Sequence, residues 1–127
     1  MKTTPLVLAC AWLAAAPLPL GQAVEFDSDV RPLLELHCVK CHGADKQKGG
    51  LRLDTLGQAE KGGDSGPALA KGDPNKSLLL ERVLLPADHD DIMPPKGDPL
   101  KPAQAETLRQ WIADGAAWPS GVTLRAK

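Results

Sequence analysis

The feature that most constrains this chain is a C-x-x-C-H motif, which residues 38–42 form as CVKCH. Two cysteines at this spacing are typical of three kinds of site: a redox-active thiol pair, half of a zinc site, or a covalent attachment point for haem. Each kind of site requires different surroundings in the fold. The helix next to the motif and the other potential ligands in the chain therefore distinguish between them.

The surroundings of the motif argue against the thiol and zinc alternatives. A redox-active pair opens a helix, because the N-terminal helix dipole lowers the thiol pKa, whereas residues 28–37 predict a helix that ends at the motif. A zinc site needs four ligands, and the sequence has neither a second C-x-x-C nor an H-x-x-x-H pair. Haem attachment needs two thiols and an adjacent iron-binding histidine, which Cys38, Cys41 and His42 supply.

A second iron ligand must come from further along the chain. Met93 is the only methionine after residue 23, and the two prolines that follow it stiffen the backbone that presents its thioether. The sequence therefore predicts Met93 as this ligand, rather than as a residue that fills a gap in the core. Two histidines are alternatives: His89 lies in an acidic turn, and His37 directly precedes the motif.

The N-terminal segment has the features of a secretory signal. Lys2 precedes an apolar run over residues 6–16, and the small residues that end at Ala23 suit a signal peptidase. We therefore predict that residues 1–23 are removed and that the mature chain is exported, to the periplasm or another extracytoplasmic compartment. Association with a membrane would require this segment to be retained as an anchor or lipidated at Cys10.

Composition limits the rest of the chain to one small globular domain. The formal net charge is -1, so no bulk electrostatic field favours binding to a nucleic acid. Hydrophobic residues make up 43% of the chain, as in a globular domain, but aromatic residues make up only 3%. Something other than aromatic side chains must therefore fill part of the core. We predict one domain over residues 24–119 and a polar C-terminal tail over residues 120–127.

Cap residues and apolar periodicity predict helices and no strand, so the expected fold class is all-α. Ser28 or Asp29 caps the first helix, Asp54 the second and Asp73 the third. Four prolines exclude a helix from most of the stretch between residues 88 and 102. The predicted helices cover residues 28–37, 55–61, 73–84 and 102–114.

Seven short segments, spread over most of the chain after residue 23, have the sequence features of one known family. They are residues 30–34, 38–43, 48–54, 65–69, 72–74, 93–97 and 111–116. Together they resemble the planctomycete-type cytochrome c domain, a branch of the class I monohaem cytochromes c. The resemblance implies a helical fold with crossed terminal helices around one covalently bound haem c. It also implies that His42 and Met93 are the axial iron ligands.

Two further expectations concern the surroundings of the haem. Gly66 and Pro67 match a pair whose proline carbonyl orients the ligand histidine in class I relatives, so the resemblance implies a contact between His42 and the Pro67 carbonyl. The porphyrin itself would supply the apolar bulk that aromatic side chains lack. On their apolar pattern, the predicted haem contacts are Leu69, Leu79 or Leu80, Val83, Ile92 and Trp111.

Charged residues near the predicted haem have two interpretations. Arg52 either pairs with a haem propionate or is an exposed arginine without a specific role. Five lysines either surround the haem edge and steer an acidic partner, or form an ordinary solvated surface. These lysines are Lys40, Lys46, Lys48, Lys96 and Lys101.

The predicted function is that of an exported electron carrier, which passes single electrons between extracytoplasmic redox partners. Such a protein forms covalent bonds only to its own haem and does not transform a substrate. We therefore do not expect an enzyme. The sequence does not identify the electron donor or acceptor. Two alternatives stay open: a haem enzyme or gas sensor with a displaceable sixth ligand, and a structural or thiol module without haem.

Overall fold

The computed structural model describes residues 23–127, so residues 1–22 of the predicted signal segment lie outside the described residues. This part of the chain is helical and contains no β-strand, in agreement with the predicted all-α class. Two isolated bridges are its only β-type pairings, one between His42 and Gln47 and one between Gly63 and Gly66. No helix in the described range combines the length and the apolar character needed to cross a bilayer.

Short α-helices are separated by loops and by turns of other helical types. A π-helical turn leads directly into the first α-helix and also packs against the last one, so the two ends of the helical region meet. The α-helices are α1 (Arg31–His37), α2 (Leu56–Lys61), α3 (Leu78–Val83) and α4 (Pro102–Ala113). The other turns are the π-helical turn (Phe26–Val30) and the 3-10 turns (Lys48–Gly50 and Pro74–Lys76).

The first helical segment begins earlier than the sequence predicts. It starts at Phe26 rather than at Ser28 or Asp29. The Asp29 carboxylate accepts a hydrogen bond from the Glu25 N–H at 2.8 Å, so this acid satisfies an N-terminal donor from inside the segment instead of preceding it. Pro32 lies in the first turn of α1, where a proline removes no helical hydrogen bond.

The start of α2 also differs from the prediction by one residue. Thr55, not Asp54, caps the helix, and its hydroxyl accepts a hydrogen bond from the Gln58 N–H at 3.3 Å. Asp54 is not free for this role because its carboxylate pairs with Arg52, at 3.0 and 2.6 Å. The helix ends at Lys61, and the following Gly62 has a positive φ of 75°, which a glycine adopts readily after a helix.

The helix predicted from residue 73 is divided in two at Ser77. Asp73 is the predicted cap, and its carboxylate accepts hydrogen bonds from the N–H groups of Asn75 and Lys76. The buried Ser77 hydroxyl then accepts from the Ala70 N–H at 3.0 Å and lies 3.0 Å from the Asp73 carbonyl oxygen. Such side-chain bonds to the backbone compete with helical hydrogen bonds, so α3 begins only at residue 78.

The C-terminal half of the helix prediction is confirmed. No helix lies between α3 and α4 in the described structure, as the prolines require. Helix α4 ends one residue before the predicted limit, next to Gly115, which has a φ of 107°. Its apolar face is buried and consists of Ala105, Leu108, Trp111 and Ile112.

An aromatic cluster forms one side of the core, despite the low aromatic content. Phe26, Trp111 and Trp118 lie together, with ring centroids between 4.8 and 6.2 Å apart. The two indole N–H groups donate to the carbonyls of Ala117 and Val122, at 2.9 and 3.0 Å. Aromatic pairs at such distances add to the stability gained from burial. The cluster therefore joins the π-helical turn, α4 and the segment that follows α4.

The predicted polar tail, residues 120–127, is part of the domain instead. Leu124 is only 2% exposed, and its N–H donates to the Asp54 carbonyl at 2.7 Å. The next N–H, of Arg125, donates to the Glu35 carboxylate at 2.9 Å. The sequence does not reveal this packing because Leu124 is an isolated apolar residue without a periodic pattern around it.

The packing of Leu124 can be tested by substitution. We expect Leu124→Ala to lower the free energy of unfolding by about 2–5 kcal/mol, because it removes a buried side chain and leaves a cavity. Thr123→Ala is the matched control, since Thr123 is exposed and its loss should change stability by at most about 0.5 kcal/mol. Urea unfolding monitored by circular dichroism measures both, and equal midpoints for Leu124→Ala and the control would contradict the packing.

Candidate functional site

A cavity of about 630 Å³ opens beside the C-x-x-C-H motif, a volume within the range of pockets that hold cofactors. Five stretches of the chain line it: the end of α1 with the motif, the loops around residues 48–53 and 63–68, helix α3, and the loop 93–98. The cavity therefore collects residues that are far apart in the sequence. Both motif cysteines, His42 and Met93 are among them.

The motif follows α1 in a tight turn that places its reactive side chains on the cavity. The Cys38 N–H donates to the Leu34 carbonyl at 3.0 Å, which ends the helix, and the His42 N–H donates to the Cys38 carbonyl at 3.0 Å. The predicted position of the cysteines at the C-terminal end of a helix is therefore confirmed. Cys38 and Cys41 are free thiols and do not form a disulfide with each other.

The Cys38 thiol does not have the properties of a redox nucleophile. Burial raises its pKa to about 12, and the neighbouring Cys41 adds to this shift. Redox-active cysteines have lowered pKa values instead. Within residues 23–127, no three His, Cys, Asp or Glu side chains are grouped closely enough to hold a metal ion by themselves. Neither the thiol-exchange nor the zinc interpretation gains support from this geometry.

His42 presents its imidazole at the cavity. Burial lowers its pKa, and a neutral ring has the free nitrogen lone pair that a metal ligand needs. Its Nδ1 is buried and has no hydrogen-bond partner in the described structure. The backbone around it is fixed, because the His42 carbonyl accepts the Leu53 N–H at 2.8 Å.

The described structure does not contain the implied hydrogen bond between His42 and the Pro67 carbonyl, because the His42 Nδ1 has no partner in it. Pro67 is exposed and does not line the cavity. The reason lies in the following residues, because the N–H groups of Ala68 and Leu69 both donate to the Ala59 carbonyl, at 3.1 and 3.2 Å. These bonds hold the segment toward α2, and they also keep the buried Leu69 away from the cavity wall.

Of the three candidates for the second ligand, two line the cavity and one does not. Met93 lines the cavity, and its backbone N–H donates to the Arg82 carbonyl at 3.1 Å. His89 is exposed outside the cavity, where its Nδ1 accepts the Asp91 N–H at 3.0 Å. His37 does line the cavity, and its Nε2 is buried without a hydrogen-bond partner among the described residues.

The apolar walls agree only in part with the predicted haem contacts. Leu79 and Val83 line the cavity, whereas Leu80, Ile92 and Trp111 are buried elsewhere in the core. Sequence analysis did not assign several wall residues to the haem site: some lie in loops, and others lie in helices whose apolar pattern does not show which face meets the cavity. These are Leu36, Leu51, Leu53, Ala68 and Leu78.

Arg52 has a structural role that neither interpretation of the sequence included. It does not line the cavity, and it forms a two-point ion pair with Asp54, which is 1% exposed. The hydrogen bonds from Arg52 hold the pKa of the Asp54 carboxyl below its usual value. Of the five predicted lysines, Lys40, Lys48 and Lys96 line the cavity, and Lys46 and Lys101 do not.

Comparison with known proteins identifies the segment that builds most of this cavity. No curated protein and no solved structure gives a significant match to the chain. Residues 38–97, which run from the first motif cysteine past Met93, match the family described as Planctomycete cytochrome C. A cytochrome c domain implies haem c as its cofactor and electron transfer as its general role. The family that the sequence motifs predicted is therefore the one that residues 38–97 match.

Proposed function

We propose that this protein is an exported monohaem cytochrome that carries single electrons between extracytoplasmic redox partners. In this proposal Cys38 and Cys41 hold the haem covalently, and His42 and Met93 are the axial ligands of its iron. The observation that carries the proposal is that one cavity gathers two free thiols, an imidazole and a thioether. These four groups are the attachment and ligand set of a His/Met cytochrome c.

The cavity residues fit this cofactor in both chemistry and surroundings. Two unpaired thiols at the motif are available for thioether bonds, and burial lowers the pKa of His42, which favours the neutral imidazole that an iron ligand needs. Leucine and valine side chains supply apolar walls around them. When bound, haem c supplies an iron that changes its oxidation state by one electron.

The side chains at the cavity would set the properties of a carrier. The Met93 thioether is a soft ligand, which favours the reduced state of iron and so raises the reduction potential. The apolar walls lower the local dielectric and limit access of water. If His42 and Met93 both hold the iron, no coordination position would be left for a substrate, so we propose a carrier and not an enzyme.

The proposal also includes where the protein acts and what it contacts. Export rests on the predicted signal over residues 1–23. The redox partner is unidentified, but Lys40, Lys48 and Lys96 at the cavity support docking of an acidic partner surface. Such charges act mainly on the rate of association, so the effect should weaken as salt concentration rises.

Covalent attachment is the first testable consequence. In the mature protein, the red colour should stay with the polypeptide after acid-acetone extraction, and the intact mass should include one haem. The Cys38→Ala, Cys41→Ala double variant should lose the colour on extraction, because it has no thiol in the motif. A wild-type protein whose colour is extracted, or whose mass lacks a haem, would disprove the attachment.

The second consequence concerns the sixth position of the iron. The reduced wild type should not bind carbon monoxide, and the oxidised protein should show the weak near-infrared band of a sulfur–iron bond. Met93→Ala should bind carbon monoxide rapidly and lose the band. His89→Ala is the matched control and should behave as the wild type, because His89 lies outside the cavity.

The opposite result would favour the alternative function. Rapid carbon monoxide binding by the wild type, together with a missing sulfur–iron band, would indicate a displaceable or absent sixth ligand. That behaviour is expected of a haem enzyme or gas sensor and not of an electron carrier.

A further inference from the structure

The loop that carries Met93 forms backbone hydrogen bonds before Met93 in the sequence but not directly after it. Before Met93, the buried Ile92 donates its N–H to the His89 carbonyl at 3.2 Å. After it, residues 94–100 form no backbone hydrogen bond with any described residue. The backbone hydrogen bonds that fix the thioether therefore lie at Met93 and just before it.

Arg82 makes two contacts with this loop. It is the penultimate residue of α3, and its carbonyl is one of the last four that a helix leaves without an internal partner. This carbonyl accepts the Met93 N–H at 3.1 Å. The Arg82 guanidinium Nη1 lies 3.4 Å from Oδ1 of Asp91, two residues before Met93. One residue thus holds the loop through both its main chain and its side chain.

We propose that the Arg82 side chain is a positioning residue, which keeps Met93 at the iron by pairing with Asp91. This inference rests on the proposed function, because it concerns ligation by Met93. Arg82 is itself a lining residue, so it extends from the cavity to the loop. The side chains of Arg82 and Asp91 are 26% and 61% exposed, so the pair is partly solvated and its effect should be modest.

Binding of imidazole to the oxidised holoprotein measures how firmly Met93 is held. Imidazole can enter only when the thioether is off the iron, so its apparent Kd falls as the population of that open state rises. We expect Arg82→Ala and Asp91→Asn each to lower this Kd by roughly two- to fivefold, the range for a partly exposed ion pair. Arg82→Lys should restore part of the difference, since it keeps the charge.

A double-mutant cycle separates the ion pair from a general loss of stability. The double variant Arg82→Ala, Asp91→Asn should bind imidazole no more tightly than either single variant, because both changes remove the same contact. Arg109→Ala is the matched control. It removes an ion pair with Glu106 on α4, away from the cavity, and should leave the Kd unchanged.

The outcomes distinguish this inference from the proposed function. Equal imidazole Kd values for the wild type, Arg82→Ala and Asp91→Asn, with the sulfur–iron band present in all three, would overturn the role of Arg82 while leaving ligation by Met93 intact. A wild type without the band would overturn ligation by Met93 and this inference with it. If Arg82→Ala does not fold, Asp91→Asn tests the same pair from its more exposed end.

Discussion

The geometry of the site depends on the position of α1, and one buried carboxylate fixes that helix. Glu35 lies three residues before Cys38 and is 2% exposed. Its carboxylate accepts hydrogen bonds from the Arg31 side chain at 3.1 Å and from the Arg125 N–H at 2.9 Å. Burial raises its pKa, but these bonds outweigh that effect and hold the pKa below its usual value. A charge this deeply buried is stable only with such partners, so it ties the motif helix to the C-terminal segment.

A second buried carboxylate, that of Asp54, lies next to the wall residue Leu53. Asp54 pairs with Arg52, and the Leu53 N–H beside it donates to the His42 carbonyl, so this short stretch contacts the motif directly. The Leu124 N–H donates to the Asp54 carbonyl. The C-terminal segment therefore contacts both anchors, which lie on elements that border the cavity. These contacts explain how a small domain with few large side chains stabilises the segments that border the cavity.

Local signals in the sequence predicted the features that neighbouring residues determine. The motif at residues 38–42, the Met93 loop at the cavity and helix α4 all follow from spacing, proline content and periodicity. The contacts that sequence analysis missed join residues without a local pattern. Leu124 belongs to the buried core, and Arg52 pairs with Asp54 and does not line the cavity. The two residues after Pro67 form hydrogen bonds with α2 that no sequence pattern indicates.

The most direct test of the central claim is the proton spectrum of the methionine methyl group in the reduced holoprotein. Met93 is the only methionine outside the predicted signal, so labelling methionine methyl groups with carbon-13 gives one resonance from the mature chain. If its sulfur binds the iron, the methyl group lies above the porphyrin and the ring current shifts its resonance far upfield. A methyl resonance at the position of an ordinary methionine, in a protein that carries covalent haem, would contradict ligation by Met93.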